Sequence, residues 1–164
     1  MDFCYSERLA KRVGLPFPPP SWVATREVWI DEVVGRTKRP HRFFVLNEGD
    51  LLHADGAVLR HLSGVASMRF VLRVPPSMEV WQVDRDPVHP TATPDALWKK
   101  GYELLAIEYD VGYPKAQVRE KLARFLQAYD GVVWGVPTPL RRSLVKTLVP
   151  PEQAGRVELI VAPW

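Results

Sequence analysis

Apolar residues recur at helical spacing from about residue 55, and shorter apolar runs follow. From Asp55 onward they recur at steps of three and four, which predicts a helix that Pro75-Pro76 ends. The later runs have the length of strands, and the segments between them have helical periodicity. These patterns predict strands at 78–83, 94–98, 102–109, 131–136 and 157–162, and helices at 114–129 and 138–148.

This order of elements predicts an α/β fold with one mixed β-sheet flanked by helices. The first three strands follow one another closely, so we expect hairpins to join them. The later strands alternate with helices, which is typical of parallel crossovers. The predicted sheet domain occupies residues 55–164.

Residues 1–54 predict a separate small unit of helix and hairpin. The proline-rich stretch 16–20 is a stiff linker that ends whatever precedes it. The predicted elements are a short helix at 5–13, a helix from Ser21 or Thr25 to Val34, a strand at 41–46, a turn at 47–50 and a short strand at 51–53.

Composition excludes several classes of protein. The 164 residues are 46% hydrophobic and 25% charged, the balance of a soluble globular protein. No apolar run reaches the roughly 18 residues that cross a bilayer, so we expect no membrane partner. The single cysteine, Cys4, permits neither an internal disulfide nor a cysteine zinc cluster, and the charged N-terminus does not resemble a signal peptide. We therefore expect a cytoplasmic protein.

The net charge of +3 is concentrated near the N-terminus. Residues 1–42 hold eight Lys and Arg against five Asp and Glu, which accounts for the whole excess. This pattern indicates either contact with a polyanion such as DNA or an ordinary solvated surface. The densest cluster is Arg36, Lys38, Arg39 and Arg42.

Three carboxylates are predicted to converge at the end of one strand. Glu108 and Asp110 share a face because side chains of a strand repeat every two residues, and a hairpin would bring Asp95 beside them. Carboxylates so placed repel one another, and a divalent cation is one remedy. Oxygen ligands favour Mg²⁺ or Mn²⁺. The alternative is that each carboxylate caps a turn or pairs with an arginine.

Lys121 is predicted to face the sheet from the helix that follows. It shares a stripe with Val118 and Phe125, so its amine could stabilise charge that develops on a phosphate. The alternative is a surface lysine paired with Glu120 or Glu108.

These residues resemble the PD-(D/E)XK, or restriction-endonuclease-like, nuclease superfamily, whose core has the order helix, three strands, helix, strand. More narrowly, residues 55–150 resemble the replication-relaxation family of plasmid and mobile-element proteins. The matching residues are Pro94-Asp95, Glu108-Tyr109-Asp110-Val111-Gly112, Lys121-Leu122, Tyr129 and the segment Leu59-Arg60-His61-Leu62.

The resemblance implies a metal-dependent phosphodiesterase or a replication factor that acts on DNA. It implies Asp95, Glu108 and Asp110 as ligands of Mg²⁺ or Mn²⁺. Asp110 stands where the superfamily usually has lysine, and Lys121 would be its substitute on the adjacent helix. Residues 1–54 would be the remnant of a winged helix, with the basic cluster at the base of the wing, where phosphate contacts are made.

Three functions stay open at this point. The first is the DNA nuclease. The second is a nuclease-like module that binds DNA or a replication protein without cleaving. The third is a structural subunit, for example a homodimer, assembled through Trp22, Trp29 and Trp164. The four histidines lack the spacing of a zinc site, and His61 is assigned only to a helix face.

Overall fold

A computed structural model of the chain describes residues 2–15, 23–31, 38–46, 49–84 and 93–164. These residues form a mixed α/β structure with two sheets. The strands are β1 (Cys4–Ser6), β2 (Val23–Asp31), β3 (Lys38–Leu46), β4 (Trp81–Val83), β5 (Ala96–Lys100), β6 (Glu103–Tyr109), β7 (Gly131–Val136) and β8 (Val157–Val161). The α-helices are α1 (Glu7–Val13), α2 (Gly56–Val71), α3 (Lys115–Ala128) and α4 (Pro139–Lys146), and short 3₁₀ helices lie at Gly49–Leu52 and Pro151–Arg156.

The larger sheet has the order β4-β5-β6-β7-β8. The pairs β4–β5 and β5–β6 are antiparallel, and the pairs β6–β7 and β7–β8 are parallel. This confirms the predicted mixed sheet. The first predicted strand is shorter than expected, because residues 78–80 form a turn and only β4 joins the sheet.

Helices cover both faces of this sheet. On one face, Val65 and Met68 of α2 pack against Ile107 and Tyr109 of β6. On the other face, α3 and α4 pack through a second cluster that contains Val118, Phe125, Trp134 and Val145. The buried strand β6 therefore lies between two helical layers, and its C-terminal end opens at the rim of the sheet.

Helix α2 lies between the two sheets. Every residue from His61 to Arg69 is buried, which is typical of a helix with neighbours on all sides. Small side chains allow the close approach: the Oγ atom of Ser63 accepts a hydrogen bond from the backbone N–H of Ser6, and a Cβ atom on Gly64 would lie 2.0 Å from the ring of Tyr109.

The three-stranded sheet has the order β1-β3-β2 and corrects the prediction for this region. The helix predicted from Ser21 or Thr25 to Val34 is wrong over its described part, because β2 pairs with β3 along all nine of its residues. The β-branched side chains of this segment favour a strand. Pairing with β3 stabilises the strand more than the helical spacing of its apolar residues favours a helix. The strand predicted at 51–53 is also wrong, since a 3₁₀ helix begins at Gly49.

The predicted short N-terminal helix is present as α1. Ser6 caps its first turn by accepting a hydrogen bond from the N–H of Leu9, and Gly14 ends it with a positive φ of 70°. The linker 16–20 and residues 47–48 of the predicted turn lie outside the described residues, and Gly49 and Asp50 begin a 3₁₀ helix.

The small sheet packs directly on α2. Cys4, Ile30 and Phe43 share one apolar cluster with Leu59 and Leu62 of the helix. The boundary predicted between residues 54 and 55 therefore separates the small sheet from the helix on which it packs. Independent folding of the two parts stays a prediction. No helix in the described part of the chain is both long and apolar enough to cross a bilayer.

Candidate functional site

Asp95 and Glu108 lie at the same end of neighbouring strands. Asp95 directly precedes β5, whose first residue Ala96 pairs with Ile107 on β6. The Oδ2 atom of Asp95 accepts a hydrogen bond of 2.6 Å from the backbone N–H of Tyr109, which fixes the carboxylate against the end of β6. The hairpin expected from the sequence thus brings two of the three carboxylates to one place.

Lys121 joins this pair from α3. Its Nζ atom lies 2.5 Å from Oε1 of Glu108, and both residues are buried, at 3% and 0% exposure. The ammonium also lies 5.0 Å from the ring centre of Tyr113, within the range of a cation–π contact. The amine faces the sheet, as the stripe of Val118, Lys121 and Phe125 predicts. Of the two acidic partners considered for it, Glu108 is the one that it contacts.

The electrostatics of Glu108 are unusual. Burial, and then the negative charge of Asp95, raise the pKa of its carboxyl well above the ordinary value, while Lys121 and the hydroxyl of Tyr113 oppose the rise. Oε2 of Glu108 is buried and makes no well-aligned hydrogen bond with the described residues. A buried carboxylate with one unsatisfied oxygen next to a second carboxylate is a site where added positive charge would be stabilising.

Asp110, the third predicted carboxylate, has partners of its own at the end of β6. Its two oxygens accept hydrogen bonds from the guanidinium of Arg141, at 2.8 to 3.0 Å, and from the indole N–H of Trp134 at 3.2 Å. The backbone N–H groups of Gly112 and Tyr113 donate to Oδ1 at 2.7 and 2.8 Å. These hydrogen bonds connect the loop after β6 to α4 through the carboxylate of Asp110.

His61 is a site residue that the sequence assigned only to a helix face. Its Nε2 atom lies 2.9 Å from Oδ1 of Asp95, close enough for an ion pair when the imidazole is protonated, although the two groups lack the alignment of a hydrogen bond. Both side chains are about 10% exposed. The sequence shows only that His61 lies within an apolar helical segment. This pattern does not identify a partner near a distant strand.

A cavity of about 220 Å³ opens beside these groups. It lies between α2, the start of β5 and the loop after β6. Its polar lining includes Asp95, His61, Lys121, Tyr113 and Gln117, and its apolar lining includes Ala57, Val58, Leu62, Val65, Pro94 and Val111.

The basic cluster is divided between two faces of β3. Arg42 is exposed and lies 3.4 Å from Oε2 of Glu27 and 3.7 Å from Oε2 of Glu7. Arg39 is also exposed but occupies the opposite face, because side chains alternate along a strand. Lys38 begins the strand, and Arg36 lies outside the described residues. Binding of DNA through this cluster stays a prediction.

A divalent cation fits part of the predicted ligand set. Among the described residues, no group of three or more His, Cys, Asp and Glu side chains is arranged to hold a metal ion. Asp95 and Glu108 still offer carboxylate oxygens at the same end of neighbouring strands, and Oε2 of Glu108 makes no well-aligned hydrogen bond. Mg²⁺ is often held by one or two carboxylates with water and substrate oxygens completing its shell, so two protein ligands are sufficient.

Comparison with known proteins finds no counterpart for the chain: no family model, no curated protein and no solved structure matches it. The resemblance to the nuclease superfamily therefore rests on the residues quoted from the sequence.

Proposed function

We propose that this chain is a DNA-acting protein with a restriction-endonuclease-like core, and that its site hydrolyses phosphodiester bonds with Mg²⁺ or Mn²⁺. The observation that carries the proposal is the convergence of Asp95, Glu108 and Lys121 at the rim of the sheet. The order of α2, β4 to β6, α3 and β7 supports it, since this is the order of the superfamily's core. We retain the replication-relaxation family as the closer relationship within this proposal.

The three residues have distinct roles in the proposed reaction. Asp95 and Glu108 would hold the cation, which when bound lowers the pKa of a coordinated water and polarises the phosphate. Lys121 holds a positive charge next to them, where negative charge develops on the phosphate oxygens. Asp110, predicted as a third ligand, instead positions the loop that carries Tyr113. This division assigns binding to two carboxylates and electrostatic stabilisation to one amine.

One observation favours a second function, a nuclease-like module that binds DNA or a replication protein without cleaving. The carboxylate of Glu108 already pairs with Lys121 in a closed, buried contact. An ion pair of this kind compensates the negative charge of the carboxylate without a metal ion. The two functions differ in whether the site binds a metal ion.

Measurements of metal binding and of DNA cleavage distinguish the nuclease from the binding module. We expect isothermal titration calorimetry to detect Mn²⁺ binding by the wild type, and plasmid or oligonucleotide cleavage to require Mg²⁺ or Mn²⁺. Glu108→Gln should abolish both. Lys121→Ala should retain metal binding and slow cleavage by about 10²- to 10³-fold, the usual effect of losing one positioned stabilising group.

Two exposed residues on the same elements provide matched controls. Glu103→Gln changes a carboxylate at the start of β6, and Lys115→Ala removes an amine at the start of α3. Both should behave as wild type. A wild-type protein that binds no Mn²⁺ and cleaves no single-stranded, duplex, nicked or branched DNA would refute the nuclease and favour the binding module.

A further inference from the structure

Two of the proposed reactive groups, Asp95 and Lys121, line a recess, and Glu108 is buried against Lys121. Glu108 is fully buried, Lys121 is 3% exposed, and the side chain of Asp95 is 9% exposed. A phosphate that follows the outside of the molecule cannot reach these atoms. Any phosphodiester that reacts here must enter the cavity between α2 and the end of β6.

The size of the cavity limits what can enter. Its volume of about 220 Å³ is below the roughly 300–1,000 Å³ of sites that enclose a drug-sized ligand, so a ligand as large as one nucleotide would fill it. The cavity therefore accommodates a single nucleotide unit at most. Continuous duplex is excluded because it is stiff over about 50 nm and cannot fold one phosphate into a recess while both neighbours stay stacked.

The lining of the cavity suits the two halves of a nucleotide. One end presents Lys121 and Asp95, where the phosphate and its cation would lie. Val58, Leu62 and Val65 of α2 also line the cavity and form an apolar surface against which a base can pack. Bases that leave the stack are held in this way, by apolar or aromatic side chains on the face of the ring.

We propose that the site accepts one unpaired nucleotide, at a strand end or in a single-stranded segment of DNA, and does not act on intact duplex. This inference rests on the proposed function, because it names the form of DNA that the same site takes.

The test compares the affinity of the protein for different forms of DNA and narrows the entrance of the cavity by mutation. Fluorescence anisotropy with Ca²⁺ present measures binding of a labelled oligothymidylate, a duplex with a single-stranded tail and a blunt hairpin duplex. We expect the first two to bind at least about tenfold more tightly than the blunt duplex. Ala57, exposed on the cavity rim, allows the entrance to be narrowed without disturbing the core: Ala57→Trp should weaken binding of single strands by about tenfold.

The matched control is Ala123→Trp, at an exposed position of α3 that does not line the cavity. It should bind as wild type, and thermal melting of both variants verifies that they are folded. Equal affinity for the three DNA forms, absence of DNA binding, or identical behaviour of the two tryptophan variants would each overturn the inference. The Mn²⁺-dependent cleavage assay decides the proposed function separately, since a nuclease that cuts blunt duplex would retain that function and lose only this inference.

Discussion

The fold strongly alters the acid–base chemistry of Glu108. In an unfolded chain its carboxyl titrates near 4.5, whereas in the folded protein burial and the nearby Asp95 raise its pKa well above that value. Lys121 reduces this rise without removing it. The protein therefore holds a proton on Glu108 more tightly when it is folded.

The consequence is a pH-dependent stability that Glu108 controls. A raised folded pKa contributes stability below pH 4.5, and this contribution is lost as the pH rises through the folded value. In metal-free buffer with a chelator, the free energy of unfolding from urea titrations should fall over this range, by no more than about 1.4 kcal/mol per pH unit for one proton. Glu108→Gln should lack this fall.

The exposed Glu103→Gln should keep the wild-type slope. Parallel pH profiles for wild type and Glu108→Gln would show that the carboxyl is not perturbed. Added Mn²⁺ should reduce the slope of the wild type, because a cation stabilises the ionised carboxylate.

At the level of elements, the loop between β6 and α3 is held by one carboxylate. Asp110 receives the Arg141 guanidinium from α4, the indole of β7 and two backbone N–H groups of its own loop. Arg141 also donates to the carbonyl oxygen of Tyr113. This network positions Tyr113 beside Lys121 and one wall of the cavity.

Asp110→Asn should therefore affect stability more than metal binding. Removing one partner of a largely buried ion pair leaves the other uncompensated, and we expect a loss of about 2–4 kcal/mol in the free energy of unfolding. The affinity for Mn²⁺ should change little where the variant is folded, in contrast to Glu108→Gln. Chemical denaturation and calorimetry measure the two quantities.

An exposed ion pair provides the control. Glu120 and Arg124 lie 3.3 Å apart with about half of each side chain accessible, so Glu120→Gln should change stability by less than about 0.5 kcal/mol. A loss of Mn²⁺ binding in a folded Asp110→Asn protein would restore Asp110 as a ligand.

At the scale of the whole molecule, the last residues connect the two sheets. Trp164 stacks on Phe43 of β3 with ring centres 5.8 Å apart, and the guanidinium of Arg60 on α2 lies over the indole. The carbonyl oxygen of Pro163 accepts hydrogen bonds from Arg12 and Ser67. The small sheet, α2 and the end of the chain thus form one packed region.

Trp164→Ala should destabilise the protein by about 1–3 kcal/mol, the loss expected for a partly buried aromatic side chain with stacked neighbours. Trp29→Ala is the matched control, because Trp29 is 65% exposed on β2 and should change stability by less than about 0.5 kcal/mol. Differential scanning calorimetry should record a single transition for the wild type, with the midpoint lowered only in Trp164→Ala. Two separate transitions would instead support independent domains at residues 1–54 and 55–164.

Local patterns in the sequence are sufficient to predict the elements of the larger sheet and the carboxylates at its rim. The short apolar run 104–107 is typical of a strand buried on both faces, and the stripe of Val118, Lys121 and Phe125 indicates which face of α3 meets the sheet. Local spacing carries that information, because side-chain direction in a helix or strand follows from its period.

The secondary structure of residues 23–31 and the partners of the polar side chains depend on contacts between elements. The segment 23–31 has apolar spacing compatible with a helix, and only pairing with β3 makes it a strand. Glu108 and Asp110 share a face of one strand, yet Asp110 pairs with Arg141 of α4, and Asp95 contacts His61, which lies 34 residues earlier in the chain. The partners of a polar side chain lie on other elements, so the period of its own element determines where it points and leaves open which charge it meets.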